Sequence, residues 1–134
     1  MLDNEAIGAL SDPAHRKHRT VLAHVEGVVT RRRRGAATGI VVPTAVRVEA
    51  GWDRTAPSAA VINRLRIDDV VLDASSANIA AHIVADTGLS VADAHLGAVV
   101  RSLGASRDDV VVLTSDPQDM ERAAGPASVR VVRI

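Results

Sequence analysis

Cysteine, phenylalanine and tyrosine are all missing from this 134-residue chain, Trp52 is its single tryptophan and Lys17 its only lysine. Without Cys there is no disulfide, no thiolate zinc site and no thiol nucleophile. Without Phe and Tyr, the usual base-stacking platforms of single-strand binders are lacking. Long apolar runs are lacking as well, so no transmembrane helix is expected. Residues Met1–Leu10 carry acids and no basic region leading into an apolar stretch, so a signal peptide is not expected and the default compartment is the cytoplasm. An excess of one charge is also absent, with 16 basic residues against 16 acidic ones. The molecule as a whole does not read as a polyanion binder.

What is present is small and β-branched: 23 Ala and 21 Val within an apolar fraction of 47%. That is enough for a core, built by close approach of elements through small side chains. The length suits one domain over residues 1–134. Short Val-rich runs bounded by turn residues read as buried strands at Gly39–Val42, Asp69–Leu72, Asp109–Leu113 and Val129–Ile134, with Met1–Asp3 as a fifth, very short one. Helical patterns lie between them, over Asn4–Leu10, Ala14 to about Arg34, Pro43 to about Trp52, Ala56–Leu65, Ser75–Thr87 and Ser90 to Leu103-Gly104. Ser115-Asp116-Pro117 opens a last short helix, with Pro where its missing N–H costs nothing. Strands alternating with helices predict an α/β fold, a parallel sheet of about five short strands with helices on both faces.

In such a sheet, sites form beyond the carboxyl ends of the strands. Asp3 and Asp116 fall there, and so does Asp73. Helix capping is the plainer role for any of the three, and the one assigned to Asp73. Two further acids sit inside apolar patterns. Asp93 shares a stripe with Leu96 and Val100, and Glu49 with Ala45, Val46 and Trp52, so both are expected to face inward. A buried carboxylate without a partner is costly. Converging carboxylates with no Cys and no close His pair would make a hard, all-oxygen site suited to Mg²⁺, or to Mn²⁺. His15, His18 and His24 share one helix, the first two near its start and facing water, so no histidine site is expected.

The runs Leu2–Ile7, Val42–Glu49, Ser90–Leu96 and Leu113–Asp119 resemble, in order, the four acidic signatures of PIN domains, and more narrowly those of VapC-type toxins of bacterial toxin–antitoxin modules. That resemblance implies a Mg²⁺-dependent endoribonuclease held inactive by a cognate antitoxin, and a homodimer. It makes Asp3, Glu49, Asp93 and Asp116 the metal-binding and catalytic acids, with Ser115 and Asp119 in support. The short first strand and Glu5, which is expected to face solvent, depart from the pattern.

The block Arg31–Arg34 has two open roles: contact with RNA phosphates or with the antitoxin, or a solvated helix end where positive charge suits the dipole. Two other classes stay open for the whole chain. One is a catalytically silent PIN-like interaction module. The other is a receiver-like phosphoacceptor domain, which would need a lysine after a late strand, whereas Lys17 lies early.

Overall fold

The computed structural model describes residues 1–103 and 110–134. Its order is α1 (Asn4–Ser11), α2 (His18–Arg33), β1 (Ile40–Pro43), α3 (Thr44–Glu49), a 3₁₀ turn (Pro57–Ala59), α4 (Ala60–Asn63), β2 (Ile67–Val70), α5 (Ala74–Thr87), α6 (Val91–Leu103), β3 (Val111–Thr114), α7 (Pro117–Ala124) and β4 (Arg130–Arg133). No single helix among the described residues is long and apolar enough to cross a membrane.

The fold is mixed α/β with short parallel strands, β1 beside β2 and β3 beside β4. The expected five-stranded sheet is therefore corrected to four strands in two pairs among the described residues. Met1–Asp3 contributes only a single parallel bridge, Leu2 to Leu113. That short segment nevertheless joins the pairs. The Leu2 N–H donates to the Val41 carbonyl, the Asp3 N–H to the Leu113 carbonyl, and the Leu113 N–H to the Met1 carbonyl. Leu2 is fully buried between β1 and β3.

Other boundaries moved for local reasons. The helix expected from Ala14 begins at His18, because the Asp12 carboxylate and the His15 ring take up the N–H groups of Ala14 and Lys17 in turns. The helix expected to reach Trp52 stops at Glu49. Gly51 adopts a left-handed φ of +62°, and the N–H groups of Gly51 and Trp52 close back on the carbonyls of Val48 and Arg47, the Schellman pattern. Trp52 then folds under the guanidinium groups of Arg54 and Arg47, 4.2 and 5.5 Å from its ring. The helix expected over 56–65 divides into the 3₁₀ turn and α4, each a single turn. The second strand runs over Ile67–Val70 rather than 69–72, since pairing Ile67 with Ile40 takes Ile67 into the core and leaves Asp68 and Asp69 exposed. The last strand is trimmed from 129–134 to 130–133. Asp109, the expected start of the third strand, and Gly104, the expected end of the sixth helix, lie outside the described residues.

Helix α6 is the centre of the packing. Ala92 and the run Ala94–Val100 are buried, and α6 contacts α3, α5, α7 and β1. A helix apolar on nearly all sides belongs inside a core. Small side chains permit the approach: a Cβ built on Gly97 would lie 2.7 Å from the Ala123 carbonyl oxygen of α7.

His95 occupies the same buried layer, and its Nδ1 accepts from the Ala45 N–H at 3.3 Å. Burial pushes its pKa below the ordinary histidine value, with the Val71 carbonyl and Asp73 pulling more weakly the other way. A base with a depressed folded pKa stabilises fully above its unfolded pKa, about 6.5, and loses that contribution as pH falls below it, because the unfolded chain then binds more protons. Urea unfolding of the parent and of His95→Gln at pH 7.5 and 5.5 checks this. The parent is expected to lose more stability on acidification than the variant. Equal losses would show that His95 does not carry the effect.

Candidate metal and nuclease site

Asp3 follows the Leu2 bridge and caps α1. Its Oδ1 accepts from the Ala6 N–H at 2.7 Å, and its Oδ2 accepts from the Ser115 N–H at 3.1 Å. One carboxylate thus fastens the start of α1 to the end of β3, across 112 positions of sequence. Asp3 is 8% exposed, and burial raises its pKa while the hydrogen bonds from Ala6, Thr114 and Ser115 oppose the rise. Such a group gains from any cation placed beside it.

Asp93 stands in the first turn of α6, half-buried. Its backbone N–H donates to Ser90 Oγ at 3.1 Å, and Ser90 Oγ donates to its Oδ2 at 2.8 Å, which ties the carboxylate to the helix start. Asp116 is exposed and caps α7, accepting from the Asp119 N–H at 3.2 Å through Oδ1. The capping role is thus real for Asp3 and Asp116, as it is for Asp73, whose Oδ1 accepts from the Ser76 N–H. A cap uses part of a carboxylate's accepting capacity and leaves lone pairs for other partners.

Asp3, Asp93, Asp116 and Asp119 line one cleft of about 240 Å³ together with Ser115, Asn4 and Glu5. It opens at the carboxyl ends of the Leu2 bridge and of β3, and neither Lys nor Arg lines it among the described residues. Two of its acids have cations of their own. Glu5 pairs with Lys17 at 2.8 Å, which lowers its pKa, and Asp119 pairs with Arg122 at 2.9 Å. Glu5 therefore borders the cleft rather than simply facing solvent. Asp3, Asp93 and Asp116 have no ion pair among the described residues.

Glu49 is placed differently from the expectation. It is the last residue of α3 and exposed, not on an inward face, because the helix ends before the turn that would have set it beside Trp52. It still reaches the rim of the cleft: its Oε1 accepts from Asn4 Nδ2 at 3.1 Å, and its Oε2 lies 3.5 Å from Ser90 Oγ. Asn4 and Ser90 thus link Glu49 to the cleft. Sequence reasoning placed Ser90 only at the start of a helix and passed over Asn4. The signal available for Asn4 was an amide next to a strand-end acid.

We find no protein-family model and no curated protein that matches this chain. The donor set agrees in kind with a hard divalent cation, being carboxylates with amide and hydroxyl neighbours. Among the described residues, however, no three Asp, Glu or His side chains stand close enough to grip one ion between them. Such a cation would be held by one or two carboxylates at a time with water completing its shell, the habit of Mg²⁺.

Arg31–Arg34 stand elsewhere. Arg31–Arg33 finish α2, and Arg31 lines a separate groove at the amino ends of β1 and β3, the opposite end of the strands from the carboxylates.

Proposed function

We propose that this protein is a Mg²⁺-dependent endoribonuclease of the PIN type, resembling the toxin component of a type II toxin–antitoxin module. Its partners would be an RNA substrate, a cognate antitoxin and a second copy of the chain, and its compartment the cytoplasm. One observation carries the reading: residues 3, 93 and 116, far apart in sequence, bring unpaired carboxylates to a single cleft at strand carboxyl ends. A buried acid, a half-buried acid and an exposed acid around one cleft suit a hydrated cation better than they suit each other.

The residues present define the roles. Asp3, Asp93 and Asp116 would hold the hydrated ion one or two at a time, the others acting through its water, with Glu49 closing the rim through Asn4 and Ser90. A bound divalent ion supplies an activated water and neutralises charge developing on a phosphate. Asp3 is the most firmly positioned, since α1 and β3 both donate to it. Ser115 and Thr114 hold the strand end: the Ser115 N–H binds Asp3, and Thr114 Oγ1 accepts from the Asp116 N–H. Asp119 acts at one remove, through its N–H to Asp116. In the absence of aromatic platforms, RNA would be held by its phosphates and by the ion.

Adding millimolar Mg²⁺ or Mn²⁺ is expected to raise the melting temperature, and EDTA to reverse the rise, because a ligand bound only by the folded state stabilises it by mass action. The rise should shrink in acid, where the proton competes for Asp3, whose pKa burial raises. Cleavage of a structured RNA, assayed in the same titration, tests the reaction itself. A second reading, a silent PIN-like interaction module, draws on the wide spacing of the acids and the exposure of Glu49. Absence of both the thermal shift and cleavage up to about tens of millimolar metal, a range that allows for weak hydrated binding, would favour that module.

The position of the arginines favours the helix-end role over phosphate contact in the cleft. Each phosphate contact to a single strand contributes about −0.7 to the salt slope, so two lost contacts would flatten it by roughly 1.4. The double variant Arg32→Ala, Arg33→Ala is expected to keep the parental slope of RNA binding and to lose about 1 kcal/mol of stability. A slope flattened by that amount would return these side chains to the RNA.

A further inference from the structure

A phosphate approaching a cleft walled by acids meets repulsion unless cations stand at the border, and two do. Arg122 pairs with Asp119 at 2.9 Å and donates to the Thr87 carbonyl at 2.6 Å, so both of its Nη atoms are engaged. Lys17 pairs with Glu5 at 2.8 Å and makes no other ion pair among the described residues. Glu5 is itself a wall of the cleft. Lys17 Nζ therefore stands one carboxylate away from it.

Lys17 belongs to the run His15-Arg16-Lys17-His18-Arg19, and between Asp12 and Glu26 the chain carries no acid. The bonding of the run divides its members into two sets. The histidines hold the turn: His15 Nδ1 accepts from the Lys17 N–H at 3.2 Å, and His18 Nδ1 lies 2.7 Å from the Ala9 carbonyl of α1. Asp12 is occupied in the same turn, accepting from the Ala14 N–H at 2.8 Å. Arg16 and Arg19 are exposed and make no ion pair among the described residues. They do not serve α2 either. Its first turn holds no acid, and cations at the start of a helix oppose its dipole, whereas Arg31–Arg33 at its end suit it. Arg16 does reach Glu5 through its charge. The Lys17 hydrogen bond is the main cause of that carboxyl's lowered pKa, and the charges of Lys17, His15 and Arg16 add to it against the opposing effect of burial.

We propose that Arg16, Lys17 and Arg19 form the phosphate track of the RNA strand, leading it into the carboxylate cleft from the side of α1 and α2. Lys17 takes the phosphate beside the one at the cleft, and Arg16 and Arg19 take phosphates farther along the strand. Glu5, its side chain 39% exposed, holds the place of that first phosphate at Lys17 and turns outward when the strand arrives. Contacts of this kind position a strand without reading its bases, which suits a protein that has neither Phe nor Tyr. An acidic protein would also meet these charges, but Lys17 stands against the cleft wall, where a bound ion draws a phosphodiester. The inference rests on the nuclease reading for the identity of the ligand and on the geometry around Glu5 for its place.

Binding of a single-stranded oligouridylate, measured in EDTA so that no strand is cut, tests the track apart from the reaction. Each lost contact flattens the salt slope by about 0.7, so Arg16→Ala with Arg19→Ala is expected to flatten it by roughly 1.4. The parent's advantage over that double variant should then shrink about sevenfold between about 50 and about 200 mM salt. Both side chains are exposed, so the fold is retained. Arg32→Ala with Arg33→Ala removes the same charge from the far end of α2 and is the control. Glu5→Gln releases Lys17 and is expected to tighten binding about threefold, the size of one surface ion pair that no longer has to break. A parental slope in the Arg16, Arg19 variant overturns the track, and so does equal flattening by the control. Parent binding weaker than about 100 μM at low salt, the weak end of non-specific nucleic-acid binding, overturns it as well. Unchanged affinity in Glu5→Gln makes the Glu5–Lys17 pair a structural tie and removes Lys17 from the track. Weaker binding of an oligoglutamate with parental binding of RNA gives the arginines to an acidic protein instead. The nuclease reading fails separately: a parent that binds with the expected slope but cuts no RNA with Mg²⁺ keeps the track and loses the reaction.

Discussion

Asp93→Asn is expected to lower metal-dependent RNA cleavage by at least about 100-fold while leaving the folded protein intact, a loss of the size seen when one preorganised electrostatic group is removed from an active site. The substitution keeps the shape of the side chain, and its Oδ1 can still accept from Ser90 Oγ, which donates to the parent carboxylate at 2.8 Å. Only the charge disappears. Because Asp93 shares its cleft with Asp3 and Asp116, neutralising it also relieves repulsion among acids that have no ion pair among the described residues. Stability should therefore stay within about 0.5 kcal/mol of the parent, and the thermal shift with Mg²⁺ should shrink. Asp73→Asn is the matching control. Asp73 caps α5 through its own carboxylate and lies outside the cleft, and Asn caps a helix as well as Asp does. Parental cleavage by a folded Asp93→Asn protein would remove this residue from the chemistry. Equal loss in both variants would point to a general effect of removing negative charge instead of a role at the cleft.

The second large effect is structural. Gly97→Ala is expected to destabilise the protein by about 1–3 kcal/mol, the usual range for overpacking a tight core. The new methyl would meet the Ala123 carbonyl oxygen at 2.7 Å and the Ala123 Cβ at 2.8 Å. Those atoms belong to the α7 backbone and its first side-chain carbon, so no flexible end can move aside. Alanine is the better helix former by about 1 kcal/mol, so an unpacked site would show stabilisation; the sign of the change is the test. Denaturant unfolding reads it directly. The consequence reaches function, because α7 begins at Asp116 and α6 carries Asp93. Pushing the two helices apart separates two walls of the cleft, so Gly97→Ala should weaken the metal-dependent thermal shift as well as the fold.

Much of the architecture was legible because local rules and tertiary demands agreed. Helix α5 begins at its Asp73 cap and closes at Gly88, whose φ is +70°, as the punctuation of the sequence implied. Helix α6 follows Ser90, and α7 starts with Pro117 behind Asp116. The strands β1 and β3 overlap the Val-rich runs and each ends one residue beyond its run, at Pro43 and Thr114, since β-branched residues with turn residues on both sides have few other stable conformations. The readings that failed did so where two periodicities competed. Glu49 and Trp52 are three residues apart and fit one helical stripe, but Gly51 carries the left-handed turn that ends the helix between them. In the second strand, hydropathy favoured Val70–Leu72, whereas pairing with β1 favoured Ile67 and left Val71 66% exposed. Hydropathy ranks side chains one at a time; register is chosen by a partner strand that hydropathy does not contain.

The sequence by itself determined the chemical kind of the site. With no Cys and no clustered His, any metal chemistry here had to rest on carboxylates. The alternation of Val-rich runs and capped helices set the α/β class, and Asp3 and Asp116 stood at strand ends by position alone. The tertiary structure alone decided which acids meet. Asp3, Asp93, Asp116 and Asp119 share a cleft, Asp73 does not, Glu49 sits on the rim, and Glu5 and Asp119 already hold Lys17 and Arg122. It alone separated Arg31 from those acids by the length of the strands and placed it beside a separate groove. The physical reason is that capping and amphipathicity act over one or two helical turns and can be read along the chain, whereas convergence depends on how the Leu2 bridge sits between β1 and β3 and on how closely α7 approaches α6 at Gly97. Those contacts join residues from 26 positions apart, Gly97 to Ala123, to 111 apart, Leu2 to Leu113, and their geometry is set by packing many small side chains at once.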